Sequence, residues 1–126
     1  MKKNLLLITI ITVLTILAAC GDTEVEADYQ TIDLGEVLTK QEEGYTIVDV
    51  REVNEYEAGH IEGAINKPLS ELREGNFEPL VDDEPYVIIC ETGNRSQQAS
   101  DLLSKESYDV INVSEGMSTW QGNVVQ

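Results

Sequence analysis

Short apolar runs alternate with amphipathic stretches along residues 29–126. A run that is apolar at nearly every position is typical of a strand covered on both faces, whereas apolar residues at i, i+3 and i+4 indicate a helix. The pattern predicts strands at 29–32, 45–50, 64–65, 86–89 and 110–113, and helices or helical turns at 34–43, 52–58, from the N-cap Ser70, 96–105 and 117–121. We therefore expect an α/β fold with a parallel sheet and helices on both faces.

The first twenty residues follow a different pattern. Lys2 and Lys3 precede an apolar stretch at 5–17, and Leu17-Ala18-Ala19-Cys20 comes next. This layout predicts a secretory signal peptide. An uncleaved anchor helix is the alternative, although the stretch is shorter than the roughly 20 residues of a membrane span. The Leu-Ala-Ala-Cys ending resembles a bacterial lipoprotein cleavage site, which implies a lipid on Cys20 and a membrane-anchored, extracytoplasmic protein.

The chain accordingly divides into a signal peptide at 1–19, the lipidated Cys20 with a polar tether at 20–28, and one domain at 29–126. Cleavage would leave 107 of the 126 residues, enough for one hydrophobic core and too few for two. Loss of Lys2 and Lys3 would take the formal net charge from −16 to −18. A surface this acidic argues against binding to nucleic acid.

A cysteine follows the apolar run at 86–89, and good helix formers occupy 97–103, so the order is strand, tight loop, helix. Ligands of open α/β sheets bind at such carboxyl ends of strands. Backbone N–H groups at a helix N-terminus converge on anions, and here the anion would be a thiolate or its sulfur adduct. The candidate residues are catalytic Cys90 and Arg95, with a binding loop of Glu91, Thr92, Gly93, Asn94 and Ser96. The alternative is a buried structural cysteine.

The loop resembles the active-site loop of the rhodanese family. Three further segments are similar to family motifs in the same order: Ile47-Val48-Asp49-Val50-Arg51-Glu52, Glu55–Asn66 and Gly116-Met117-Ser118-Thr119-Trp120. The resemblance implies five parallel strands in the order 1-5-4-2-3. It also suggests that Glu55 holds the Arg95 guanidinium and that His60 serves the fold. Asp49 and Arg51 end a predicted central strand, which places them near the edge of the site, either as part of it or as an internal ion pair that orders the neighbouring loops.

Cys90 is the only thiol left if Cys20 carries lipid, which excludes a dithiol mechanism within one chain. Sulfur transfer through a Cys90 persulfide fits, from a small donor such as thiosulfate, a persulfide or a polysulfide to a thiol or cyanide. Four residues separate Cys90 from Arg95, against five in phosphatases of the same fold, so the cup suits a sulfur atom better than phosphate. We expect no cofactor and no metal site. A non-catalytic binding or sensor module is the alternative, and the direction of Glu91 stays open.

Overall fold

The computed structural model describes residues 28–126. Strands and helices alternate along the chain. The strands are β1 (Gln30–Ile32), β2 (Thr46–Asp49), β3 (Ile65–Asn66), β4 (Pro85–Cys90) and β5 (Asp109–Gly116). The α-helices are α1 (Val37–Glu42), α2 (Val53–Ala58), α3 (Leu69–Arg73) and α4 (Asn94–Lys105), with 3-10 turns at Leu34–Glu36 and Met117–Thr119. None of the helices in this part of the chain is long and apolar enough to cross a membrane.

The five strands form one parallel sheet in the order β1-β5-β4-β2-β3. Both the α/β fold class and the expected strand order are confirmed. β4 is the middle strand, paired with β2 on one side and β5 on the other. Its carboxyl end, which carries Cys90, therefore lies at the centre of the sheet edge where the loops gather.

Side chains alternate along β4 between two hydrophobic cores. Tyr86, Ile88 and Cys90 belong to the core under α3 and α4, whereas Val87 and Ile89 belong to the core under α1 and α2. Helices thus cover both faces, as expected. The strand that carries the thiol is buried along its whole apolar run, which holds the cysteine backbone in a fixed position.

A side-chain hydrogen bond connects Tyr29, the residue before the edge strand β1, to α4. The Tyr29 hydroxyl donates to Asp101 at 2.5 Å. Partial burial, together with this neighbouring carboxylate, raises the pKa of Tyr29 to about 12. The phenol therefore stays protonated, and stays a donor, throughout the physiological pH range.

The prediction of Ser70 as the N-cap of its helix was wrong. Helix α3 begins at Leu69 with Pro68 in the capping position. Leu69 N–H donates to the Val50 carbonyl at 3.0 Å, so a backbone acceptor from the end of β2 satisfies the helix terminus and no side-chain cap is needed. Ser70 instead donates its hydroxyl to Glu52 at 3.1 Å.

The structure also differs from the sequence prediction at the boundaries of other elements. The helix predicted at 34–43 is a 3-10 turn followed by α1, because Asp33 caps the turn by accepting from Gly35 N–H. The last strand, predicted at 110–113, runs on to Gly116 and pairs with Cys90 across an irregularity in the ladder. This extension brings β5 alongside the cysteine loop. The signal peptide, Cys20 and all of the tether except Asp28 lie outside the described residues.

Candidate active site

Cys90 is the last residue of β4, and its side chain is fully buried. Its Sγ accepts a hydrogen bond from the backbone N–H of Gly93 at 3.1 Å. The loop therefore curls back over the sulfur and offers it a donor. Backbone N–H groups in such a turn are well placed to bind an anion.

Helix α4 begins inside the loop, at Asn94, two residues earlier than the sequence pattern predicted. The first N–H groups of a helix have no acceptor within it, so those of Asn94, Arg95 and Ser96 project from the helix end toward the loop. The dipole of this twelve-residue helix adds partial positive charge at the same point. The loop and helix together form a cup suited to an anion.

Two glycines let this loop lie directly on β5. Gly93 has φ +95°, and a Cβ there would come within 2.1 Å of the Ser114 carbonyl oxygen. A Cβ on Gly116 would come within 2.3 Å of the Glu91 carbonyl group. Since real side chains never approach so closely, glycine is required at both positions. The glycine of the last motif is therefore part of the support of the active-site loop, a role that its distance in sequence concealed.

Arg95 is held by Glu55, as the sequence suggested. Its two terminal nitrogens donate to the two carboxylate oxygens at 2.6 and 2.8 Å. The Arg95 guanidinium holds the pKa of Glu55 down at about 2. Glu55 also accepts from Glu52 N–H at 2.9 Å, which makes it part of the cap of α2. The bidentate pair fixes the direction of the arginine and ties the loop to α2.

Glu91 turns toward Arg51. Its carboxylate lies 3.2 Å from the buried Arg51 guanidinium, which also binds Asp49 at 2.7 Å and donates to the Gly59 carbonyl at 2.8 Å. Asp49 shares the Ile47 face of β2, in the core opposite to that of Cys90. The Glu91 carboxylate is thus drawn toward Arg51, which it shares with Asp49, so its negative charge is partly compensated. Asp49 and Arg51 form an internal ion pair that supports the loop from behind.

The three remaining loop residues differ in exposure. Thr92 and Asn94 are exposed, and Ser96 is buried. Ser96 Oγ lies 3.1 Å from both the Gly93 and the Val113 carbonyl oxygens, so its hydroxyl links the loop to β5. The Asn94 side chain accepts from Gln98 at 2.6 Å. Ser96 is therefore a structural member of the loop, while Thr92 and Asn94 face the entrance.

His60 serves the fold, as expected. Its ring stacks on Tyr56 with centroids 3.6 Å apart, and Nδ1 lies 2.9 Å from the Tyr56 carbonyl oxygen. Its backbone forms a bridge with Val125. Trp120 packs against the core on the α1 side and borders two cavities of about 440 and 310 Å³, neither of which is lined by the cysteine loop. Within residues 28–126, no cluster of three His, Cys, Asp or Glu side chains could hold a metal ion.

A scan against protein-family models matches residues 33–123 to the rhodanese-like domain. The chain belongs to the rhodanese-like family. The Bacillus subtilis protein named "Putative sulfur carrier protein YrkF" is 38% identical over 102 residues, which cover 80% of this chain and 51% of that protein. The "Putative sulfurtransferase YtwF" of the same organism is 34% identical over 95 residues, which cover 75% of this chain and 90% of YtwF. The chain spans about half the length of YrkF and 62% of a further B. subtilis relative, YqhL.

Solved structures give the same assignment. A rhodanese-related protein from Thermoplasma volcanium superposes with a TM-score of 0.68 at 38% identity, covering 77% of this chain and 98% of that one. The human single-domain sulfurtransferase TSTD1 gives a TM-score of 0.62 at 28% identity, covering 71% and 93%. These likenesses place this rhodanese-like domain in a sulfurtransferase-type family.

Proposed function

We propose that this rhodanese-like domain transfers a sulfane sulfur from a small donor to a thiol or cyanide acceptor through a persulfide on Cys90. The observation that carries the proposal is the hydrogen bond from Gly93 N–H to Cys90 Sγ, in a loop that closes onto the N-terminus of α4. A thiolate and a persulfide are both anions that such a cup stabilises. Relatives named for sulfur carriage and sulfur transfer support the same chemistry.

The reaction proceeds in two displacements. The Cys90 thiolate attacks the outer sulfur of a donor such as thiosulfate, a new S–S bond forms, and sulfite leaves with the electron pair of the broken S–S bond. The acceptor then attacks the outer sulfur of the persulfide. Cyanide leaves as thiocyanate and a thiol leaves as its persulfide, while the Cys90 thiolate is restored. No oxidant and no cofactor is consumed, and the two half-reactions predict ping-pong kinetics.

Backbone groups carry most of the electrostatic stabilisation in this mechanism. Gly93 N–H already donates to Sγ, and the first N–H groups of α4, which have no acceptor within the helix, would stabilise charge on the outer sulfur. Arg95 adds a permanent positive charge whose direction Glu55 fixes. Because these groups are in place before the donor arrives, no reorganisation is needed as negative charge develops.

Intact mass spectrometry tests the proposal. Reduced protein incubated with thiosulfate, a glutathione persulfide or a polysulfide should gain the mass of one sulfur, and cyanide should remove it. The Cys90→Ser variant is the control and should gain nothing. If no donor produces a cyanide-labile gain on folded wild-type protein, the domain is not a sulfurtransferase, and the non-catalytic binding or sensor module becomes the better interpretation.

We propose in addition that residues 1–19 are a signal peptide and that Cys20 carries the lipid that anchors the domain outside the cytoplasm. The layout of Lys2-Lys3, the apolar stretch and Leu17-Ala18-Ala19-Cys20 supports this. Expression in a bacterium fed a labelled fatty acid should label the wild type and leave Cys20→Ser unlabelled. Equal recovery of both proteins in the soluble cytoplasmic fraction would contradict it.

A further inference from the structure

Most of the positive charges within residues 28–126 are paired with neighbouring carboxylates. The chain holds 8 Lys and Arg against 24 Asp and Glu. Among the cations of residues 28–126, four bind carboxylates: Lys40, Arg51, Lys67 and Arg95. Arg73 and Lys105 have no such partner within the described residues. On so acidic a surface, a cation without a carboxylate partner is available to bind the carboxylate of a ligand.

Arg73 lies beside the entrance to the cup. It ends α3, the short helix that packs against α4, and its side chain is exposed. Its guanidinium donates to the Gln98 side-chain oxygen, and Gln98 donates in turn to the Asn94 oxygen at 2.6 Å. Asn94 belongs to the cysteine loop. A chain of hydrogen bonds thus runs from Arg73 to the rim of the active site.

We propose that Arg73 is a specificity-determining residue that binds a carboxylate of the thiol co-substrate, whose sulfur meets Cys90. This inference rests on the proposed function. A guanidinium has five N–H donors, and in this structure only the one given to Gln98 is engaged, so a bidentate carboxylate pair can form. Glu55 binds Arg95 in the same manner a short distance away.

The position of Arg73 limits the size of the ligand. Gln98 is one turn along α4 from Asn94, or about 6 Å. An extended peptide reaches about 7 Å in two residues, a length comparable with this one-turn separation. The fitting class is a short peptide thiol with a free carboxylate one or two residues from its cysteine. Such a thiol attacks the outer persulfide sulfur, leaves as its own persulfide, and returns the thiolate to Cys90.

The test compares Arg73→Gln with Lys105→Gln. Both variants remove one positive charge that has no carboxylate partner, but Lys105 lies at the far end of α4, about 10 Å beyond Gln98 along the helix axis. Two acceptors are offered to the preformed persulfide: a cysteine tripeptide with free carboxylates and the same tripeptide with its carboxylates amidated. Persulfide formation from thiosulfate is measured separately.

Arg73→Gln should raise KM for the free tripeptide roughly tenfold, leave kcat little changed, and change KM for the amidated tripeptide less than twofold. Arg73→Lys should recover part of the loss, and thiosulfate loading should stay unaltered. Equal losses with both tripeptides, or an equal loss in Lys105→Gln, would overturn the proposal. Binding of the S-methylated tripeptide, measured by calorimetry, tests Arg73 without any turnover. Weaker binding to Arg73→Gln supports the site even if no persulfide forms, and unchanged binding refutes it.

Discussion

At the residue scale, two glutamates beside the cysteine loop differ in what their carboxylates do. Glu55 binds Arg95, which is itself part of the loop, so it acts directly on the geometry of the cup. Glu91 belongs to the loop but directs its charge backward to Arg51. The two side chains therefore have separable effects: Glu55 supports the site, whereas Glu91 is held away from the sulfur by Arg51.

The Glu55–Arg95 pair should make stability depend on pH. The pKa of Glu55 is about 2 in the folded protein against an ordinary value of 4.5, so the pair stabilises the fold fully above about pH 5.5. That stabilisation should be lost as the pH falls from 4.5 through 2. Urea unfolding at pH 7 and at pH 3 should show Glu55→Gln clearly less stable than wild type at pH 7, with a smaller gap at pH 3.

The matched control for that experiment is Glu57→Gln. Glu57 is an exposed residue of the same helix, and it makes no side-chain hydrogen bond within residues 28–126. Its replacement removes the same charge without touching Arg95. If both variants lose stability equally at pH 7, the bidentate pair contributes nothing beyond the general charge balance of α2.

Glu91→Gln should change thiosulfate loading of Cys90 by less than twofold at physiological salt. Arg51 partly compensates the Glu91 carboxylate and holds it toward the face of the sheet opposite to the sulfur. Stopped-flow loading rates should match those of Glu115→Gln, which removes an exposed charge from β5 close to Gly116. A several-fold rise in Glu91→Gln alone would show that its charge reaches the entrance.

At the element scale, the active site is a loop between β4 and α4 that leans on the extended end of β5. The backbones meet so closely at Gly93 and Gly116 that no side chain fits between them. The Ser118 N–H closes the contact by donating to the Glu91 carbonyl at 3.0 Å. The shape of the cup therefore depends on a strand that contributes no chemical group to the reaction.

Gly93→Ala should destabilise the fold by roughly 3 kcal/mol or more, because it combines a left-handed backbone with a clash against Ser114. Gly44 is the matched control: its φ is +102°, and a Cβ there would meet nothing within 4 Å. Gly44→Ala should lose only about 1–2 kcal/mol of backbone strain. Equal losses in urea unfolding would mean that β5 shifts away easily and does not shape the loop.

The sequence predicted the strand and helix order well, because each element buries apolar residues at its own period. The candidates Cys90 and Arg95 come from one loop, whereas the Glu55–Arg95 contact, which spans forty residues, was suggested only by the resemblance to family motifs. The sequence could not predict that Gly116 lies against the loop, since that contact arises only when β5 extends past Val113. Nor could the sequence predict the direction of the Glu91 side chain, because no motif suggested Arg51 as its partner.

At the scale of the whole molecule, the net charge affects the rate at which a charged sulfur donor approaches the site. A formal net charge of −16 repels the thiosulfate dianion at long range, and salt screens that repulsion over about 8–10 Å. Loading from thiosulfate should therefore accelerate as ionic strength rises, whereas loading from a neutral polysulfane should not. Stopped-flow rates at two salt concentrations check this. A thiosulfate rate that falls with salt would mean that the positive groups at the cup dominate the approach.

Cys90 has no exposed surface, so the size of a reagent should decide whether it reaches the sulfur. Slender reagents such as cyanide can enter the cup end-on, whereas a bulky aromatic disulfide cannot bring its sulfur into line with Sγ. A bulky thiol reagent should therefore label Cys90 slowly in the folded protein and faster once the protein is unfolded. The same burial should limit mixed disulfides between Cys90 and molecules too large for the cup.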